Sequence, residues 1–185
     1  EELKKLKIEI VKPSINKCFS DFRAVDGKII YGLGAIKNVG YEAISNIVNE
    51  REKNGIFNSF VNFINRVNSK DVNKLQLEGL VKAGVFDEFD KDRHKILNSI
   101  PKIIQQIKNI NEDKDNHQTN LFGDQENNLT DFVFLPSKPW SQKDLLSEEF
   151  KSIGFYLTNH PLNEFEDSFS QLDISPYNQF YENEK

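Results

Sequence analysis

Apolar positions change their spacing along this chain, and each change predicts a different element. The stretch "KIEIV" (7–11) alternates, the period-two signature of a short strand. "FRAVDGKIIYGL" (22–33) predicts a β-hairpin, because Asp26-Gly27 tolerates the positive φ angles of a tight turn. From Gly32 onward the spacing becomes helical. Between Tyr41 and Lys53, Ala43, Ile44, Ile47 and Val48 share one face, and Asn54-Gly55 ends the run. Ser59 is placed to cap a second helix carrying Phe60, Phe63, Ile64 and Val67. A third starts near Asn73, presents Leu77, Leu80 and Val81, and stops at Gly84. A longer one runs from about Asp92 to Ile110 with Ile96, Leu97, Ile100, Ile103, Ile104 and Ile107. Pro101 predicts a kink or a restart within it.

Periodicity then vanishes. "NEDKDNHQTNLFGDQENNLTD" (111–131) is rich in Asn and Asp and reads as a flexible tether. It resumes where Ser141 can cap a helix bearing Leu145, Leu146, Phe150 and Ile153, with Trp140 packed near its start. "NHPLNEF" (159–165) follows as a break and a short helix. The expected fold is mainly α with a small N-terminal β-hairpin, divided at 1–31, 32–90, 91–110, 111–139 and 140–185.

Composition narrows the classes. At 185 residues, 37% hydrophobic and 29% charged, the chain can build one or two small cores. It has no apolar run long enough to span a bilayer and no signal peptide, so no membrane partner is expected. Cys18 is the one cysteine, which excludes a disulfide framework and fits a cytoplasmic setting. The absence of Met and the charged opening "EELKKLKIEIVKP" read as a segment of something larger. Charge is divided unevenly: residues 1–110 hold 19 Lys and Arg against 14 Asp and Glu, whereas 111–185 hold 5 against 15. A basic first part and an acidic second part suit a chain whose first part faces a polyanion.

Candidate chemistry concentrates in two places. In "AIKNVGYEAISNIV" (35–48) a tight Asn38-Val39-Gly40 turn leads directly into a helix, the layout of a helix-hairpin-helix element. Gly40 would turn the backbone with amides exposed at the positive end of that helix, a seat for a phosphate oxygen, and Lys37 lies beside it. Such a contact grips the backbone of DNA and ignores its sequence. An ordinary helical corner, with Gly40 serving only its φ angle, is the alternative. The next turn, "VNSKDVNK" (67–74), lacks the Gly-apolar-Gly character, so Arg66, Lys70 and Lys74 would contribute charge without a phosphate seat, a solvated basic face being the alternative.

The second place is the tether, where Leu121 and Phe122 stand among polar residues. Gln118 with Leu121 and Phe122 just beyond it suits docking into a partner's apolar pocket, although a latch folded onto the chain's own helices is a rival account. No catalytic constellation is legible. His94, His117 and His160 are dispersed, and "DEFD" (87–90) is the one stretch that resembles a carboxylate pair for magnesium.

Taken together, these stretches resemble the alpha subunit of bacterial DNA polymerase III. "INKCFSDFRAVDGKIIYGLGAIKNVG", "INRVNSKDVNKLQLEGLVKAGVFDEF", "QTNLFGD" and "WSQKDLLSEEFKSIGFYLTNHPL" carry the likeness, in the family's order and spacing over roughly residues 8–165. The resemblance implies the end of the fingers region, then a tandem helix-hairpin-helix unit holding duplex DNA, then a motif for the ring-shaped sliding clamp. The DNA-gripping hairpin maps onto Lys37, Asn38, Val39 and Gly40, and the clamp-binding pentapeptide onto Gln118, Thr119, Asn120, Leu121 and Phe122. It also implies other replicative holoenzyme subunits as partners, and Mg2+ held by aspartates that are not in this chain. The family often has Gly where Asn159 stands, which bears on any tight turn there. Two rival functions keep the same parts: a stand-alone DNA-binding adaptor that recruits the clamp in repair, and a protein-interaction scaffold that never touches DNA.

Overall fold

The computed structural model describes residues 6, 8–115, 132–165 and 168. β1 (Glu9–Val11), β2 (Arg23–Val25) and β3 (Lys28–Ile30) form one small sheet in the order β1-β3-β2. β2 and β3 are antiparallel, joined by Asp26 at φ 50° and Gly27 at φ 73°, the left-handed pair that the sequence predicted. β1 lies parallel to β3, with Ile10 opposite Ile29, and Lys28 Nζ reaches Glu9 at 2.8 Å.

The helices follow in chain order: α1 (Tyr41–Asn54), α2 (Phe60–Arg66), α3 (Lys74–Lys82), α4 (Arg93–Asp115) and α5 (Gln142–Ile153). Short 3-10 turns occupy Leu33–Ala35 and Pro161–Phe165. The starts are set by side-chain caps. Ser59 accepts from the Asn62 amide and Ser141 from the Asp144 amide, while Asn73 and Gln76 form a reciprocal capping box. Among the described residues no helix is long and apolar enough to cross a membrane.

One core serves the helices. Phe57, Phe60, Phe63 and Phe86 meet with ring centroids 5.0–5.9 Å apart, mostly edge to face. Leu33, Ile44, Leu77, Leu80, Ile96, Ile103 and Ile107 close around them, all buried. The N-terminal segment is tied in by Arg51 of α1, whose buried Nη1 donates to the carbonyls of Ile15 at 2.7 Å and Cys18 at 2.6 Å.

Two expectations need adjustment. Pro101 does not restart the long helix, which runs unbroken from Arg93 to Asp115. Pro101 forfeits one backbone bond, but Ile96, Ile100, Ile103 and Ile107 are buried along the same face, and their burial outweighs that loss. The 111–139 stretch is also not uniform. Residues 111–115 extend α4, and Phe132 and Phe134 pack onto the core, Phe134 lying 5.3 Å from Phe60. The Leu135 amide donates to Ser99 Oγ at 2.9 Å, and Trp140 stacks on His94 with centroids 5.4 Å apart. Residues 116–131, which carry His117 and the Gln118–Phe122 pentapeptide, lie outside the described residues.

Candidate nucleic-acid interface

The first hairpin is built by alternating burial. Ile36 and Val39 point into the core, while Lys37, Asn38 and Gly40 are exposed. The Val39 amide donates back to the Ile36 carbonyl at 3.1 Å and closes the turn. The residue in the left-handed region is Asn38, at φ 66°, and not Gly40, which is extended at φ −75° and ψ 131°. Asn is one of the few side chains that accept such a φ at the third turn position. Gly40 answers to space instead, since a Cβ there would lie 3.2 Å from Gln76 Nε2.

α1 begins directly after Gly40 with no side-chain cap. Among the described residues nothing accepts from the backbone amides of Asn38, Gly40 or Tyr41. Amides without an acceptor, on exposed residues at the positive end of a 14-residue helix and with Lys37 adjacent, make a surface complementary to an anionic oxygen. Glu42 in the first turn offsets part of that positive end.

The second hairpin, between α2 and α3, bonds more of its own turn amides. The Ser69 amide donates to Asn111 Oδ1, the Lys70 amide to Asn68 Oδ1 and the Asp71 amide to the Asn68 carbonyl. The Asn73–Gln76 capping box occupies the start of α3. Its charged side chains are Lys70, which is exposed, and Lys74, which is exposed and lies 3.9 Å from half-buried Glu78.

Arg66 is not part of the exposed charge. Its guanidinium bonds Glu50 Oε1 at 3.0 Å and the Gly55 carbonyl at 2.8 Å, and lies over the Phe57 ring at 4.4 Å. It fastens the α1–α2 corner. The structure thus brings Lys37, Asn38 and Gly40 together at one surface, with Val39 as the buried pin beneath them, and engages half-buried Arg66 with Glu50 and the Gly55 carbonyl.

The hairpin rests on two helices that sequence reasoning did not connect to it. Gly79 of α3 lies under it so closely that a Cβ would stand 2.6 Å from the Lys37 carbonyl oxygen. From the other side, the Lys37 amide donates to the Ser152 carbonyl of α5 at 2.9 Å. α5 is docked by charge: Lys82 reaches Glu148 at 3.0 Å, and buried Glu149 lies 3.5 Å from Arg93, itself bonded to Asp87 at 2.6 Å. Burial alone would lower the Arg93 pKa, but Asp87 and Glu149 outweigh it and hold the group above its ordinary value. Only a Gly inside a helical pattern hinted at any of this.

The "DEFD" carboxylates do not converge. Asp87 pairs with Arg93, Glu88 accepts from Ser14 Oγ at 3.0 Å, and Asp90 pairs with Lys95. Among the described residues no group of three or more His, Cys, Asp or Glu is placed to hold a metal. Asn159 is not left-handed, so nothing in its backbone calls for Gly; its Oδ1 accepts from the His160 amide at 3.0 Å.

A helix-hairpin-helix motif family matches residues 7–96. The chain is 38% identical over 180 residues to DNA polymerase III subunit alpha of Borreliella burgdorferi, covering 94% of this chain and 16% of that protein. It is 34% identical to the same subunit of Caulobacter vibrioides, covering 89% of this chain and 14% of that protein. With the Campylobacter jejuni subunit it shares 34% identity, covering 94% of this chain and 15% of that protein. The chain thus spans about a sixth of the length of the curated relatives it matches.

Proposed function

The chain belongs, as a segment, to the DNA polymerase III alpha subunit family, and on that premise we propose that it grips the backbone of duplex DNA and ties the polymerase to a sliding clamp. The observation that carries the DNA half is the set of amides without an acceptor among the described residues, at exposed Asn38, Gly40 and Tyr41, at an uncapped helix start beside Lys37. Amides and one lysine recognise phosphate oxygens, which are the same at every base pair, so the grip is independent of sequence. Lys70 and Lys74 add charge from the neighbouring hairpin.

The clamp half is carried by Gln118, Thr119, Asn120, Leu121 and Phe122 in the sequence. The chain on both sides of that segment is anchored, by α4 up to Asp115 and by Phe132, Phe134 and Leu135. A duplex held at one point and a clamp at another raise the effective concentration of the catalytic centre at the primer end. Nucleotidyl transfer, its Mg2+, a cytoplasmic location and further holoenzyme partners are part of the same proposal and belong to the longer protein. Within this segment the contribution is processivity.

The test is duplex affinity across a salt series for the full-length protein and for Lys37→Glu. Affinity should fall linearly with salt on logarithmic axes, and the substitution should weaken binding equally on unrelated sequences, reducing the slope by about 1 or more. A loss confined to particular sequences, or no salt dependence, overturns backbone recognition.

A further inference from the structure

The phosphate-seating hairpin is held through its Lys37 peptide, whose carbonyl packs on Gly79 of α3 while its amide donates to Ser152 of α5. Asn38, the next residue, is left-handed. Its conformation is bracketed by the Lys37–Ser152 bond on one side and the Val39–Ile36 bond on the other. The end of α5 is in turn fixed by one carboxylate. Glu149 Oε1 accepts from the amides of Leu157 and Thr158, each at 2.8 Å. Oε2 takes the Thr158 hydroxyl and lies 3.5 Å from Arg93 Nη1. Glu149 therefore ties the chain leaving α5 back onto the helix within one turn of Ser152, whose own hydroxyl donates to the Glu149 carbonyl at 3.0 Å.

We infer that α5 is a positioning element for the DNA-gripping hairpin, and that Glu149 is the positioning residue that locks it in place. This rests on the backbone-gripping reading above. Its consequence is directional coupling. α5 follows the segment that bears the clamp pentapeptide, so whatever displaces α5 removes the acceptor of the Lys37 amide and loosens Asn38 from its left-handed turn. DNA grip then weakens although Lys37 and the exposed amides are all still present.

The experiment uses the full-length protein and two perturbations of α5. Glu149→Ala removes the carboxylate. Gly154→Val acts two residues after Ser152, at a C-cap with φ 91° where a Cβ meets nothing within 4 Å, so only the backbone at the helix end is strained. Each is combined with Lys37→Glu in a double-mutant cycle read by duplex affinity at several salt concentrations, with helix content and Tm in parallel.

Expected is a roughly three- to tenfold loss of duplex affinity for Gly154→Val with the fold retained, and less than about a twofold further loss when Lys37→Glu is added. Thr158→Val, which deletes only the hydroxyl bound to Glu149, should give a smaller loss of the same kind. If Glu149→Ala fails to fold, the Gly154 and Thr158 variants decide the matter. Strict additivity, or wild-type duplex affinity in Gly154→Val, overturns the coupling. Absence of salt-dependent binding in the wild type is a different result, since it removes the backbone-gripping reading itself.

Discussion

The Lys37 carbonyl oxygen occupies the space that a Cβ on Gly79 would need, with 2.6 Å between them. Gly79 sits mid-helix in α3, where Ala would ordinarily be preferred by about 0.5–1 kcal/mol. That preference is overridden, because the obstructing atom is backbone and Val39 Cγ2 closes the other side at 3.2 Å. Gly79→Ala should therefore destabilise the fold by about 1–3 kcal/mol in urea denaturation. It should also lower duplex affinity more than a comparable core substitution far from the hairpin, such as Ile107→Val. Unchanged or raised stability would show that the hairpin yields freely.

Arg66→Ala separates internally bonded charge from free surface charge. The side chain holds Glu50, the Gly55 carbonyl and the Phe57 ring, so its loss strands partly buried acceptors and should reduce stability by about 2–4 kcal/mol. Once binding is measured well below the lowered Tm, the salt slope for duplex DNA should match wild type. A slope reduced by about 1, as expected for Lys37→Glu, would return Arg66 to the phosphate-contacting group.

Locally encoded features were legible and long-range ones were not. Asp26-Gly27, Ser59, Asn73 and Gly84 act within a few residues of themselves, and each does what its chemistry predicts. The hairpin at 36–40 was legible as a tight turn into a helix, but its left-handed residue is Asn38 and not Gly40, because Asn and Gly both tolerate positive φ and the chain has them two apart. Arg66 was read as surface charge because nothing in a helical period reveals acceptors supplied by a preceding corner. The Lys37–Ser152 bond joins residues that no sequence window contains. Phe132 and Phe134, in contrast, did leave a signal: they alternate with exposed Val133 and Leu135, a period-two pattern hidden at the edge of a polar stretch.

The docking of α5 should depend on pH through Glu148. Burial alone would raise this carboxyl, but Lys151 at 2.5 Å and Lys82 at 3.0 Å outweigh it and hold its pKa below the ordinary glutamate value. A group depressed in the folded state contributes its full stability above the unfolded pKa and loses it as pH falls through the folded one. Wild type should therefore exceed Glu148→Gln in stability by about 1–2 kcal/mol at neutral pH. The difference should shrink as pH falls below the glutamate range and vanish once both states are protonated. Denaturant midpoints across the acidic range measure it, and a gap that widens with acid would contradict the assignment.

Leu121→Ala with Phe122→Ala tests the tether. Two adjacent apolar anchors in a polar segment bring most of the affinity of a peptide docked in a pocket, because each buried side chain removes its apolar surface from water. Truncating both should cost about 3–5 kcal/mol of clamp affinity, a loss of two to four orders of magnitude that abolishes a pull-down. Duplex affinity and helix content should stay at wild-type levels, since the helices and the hairpin are built from residues elsewhere in the chain. Gln118→Ala should cost less, because it removes a hydrogen bond that sets register and leaves the apolar contacts in place. If the double substitution lowers Tm along with clamp capture, the pair is acting as a latch on its own helices, and the tether must be sought in other residues.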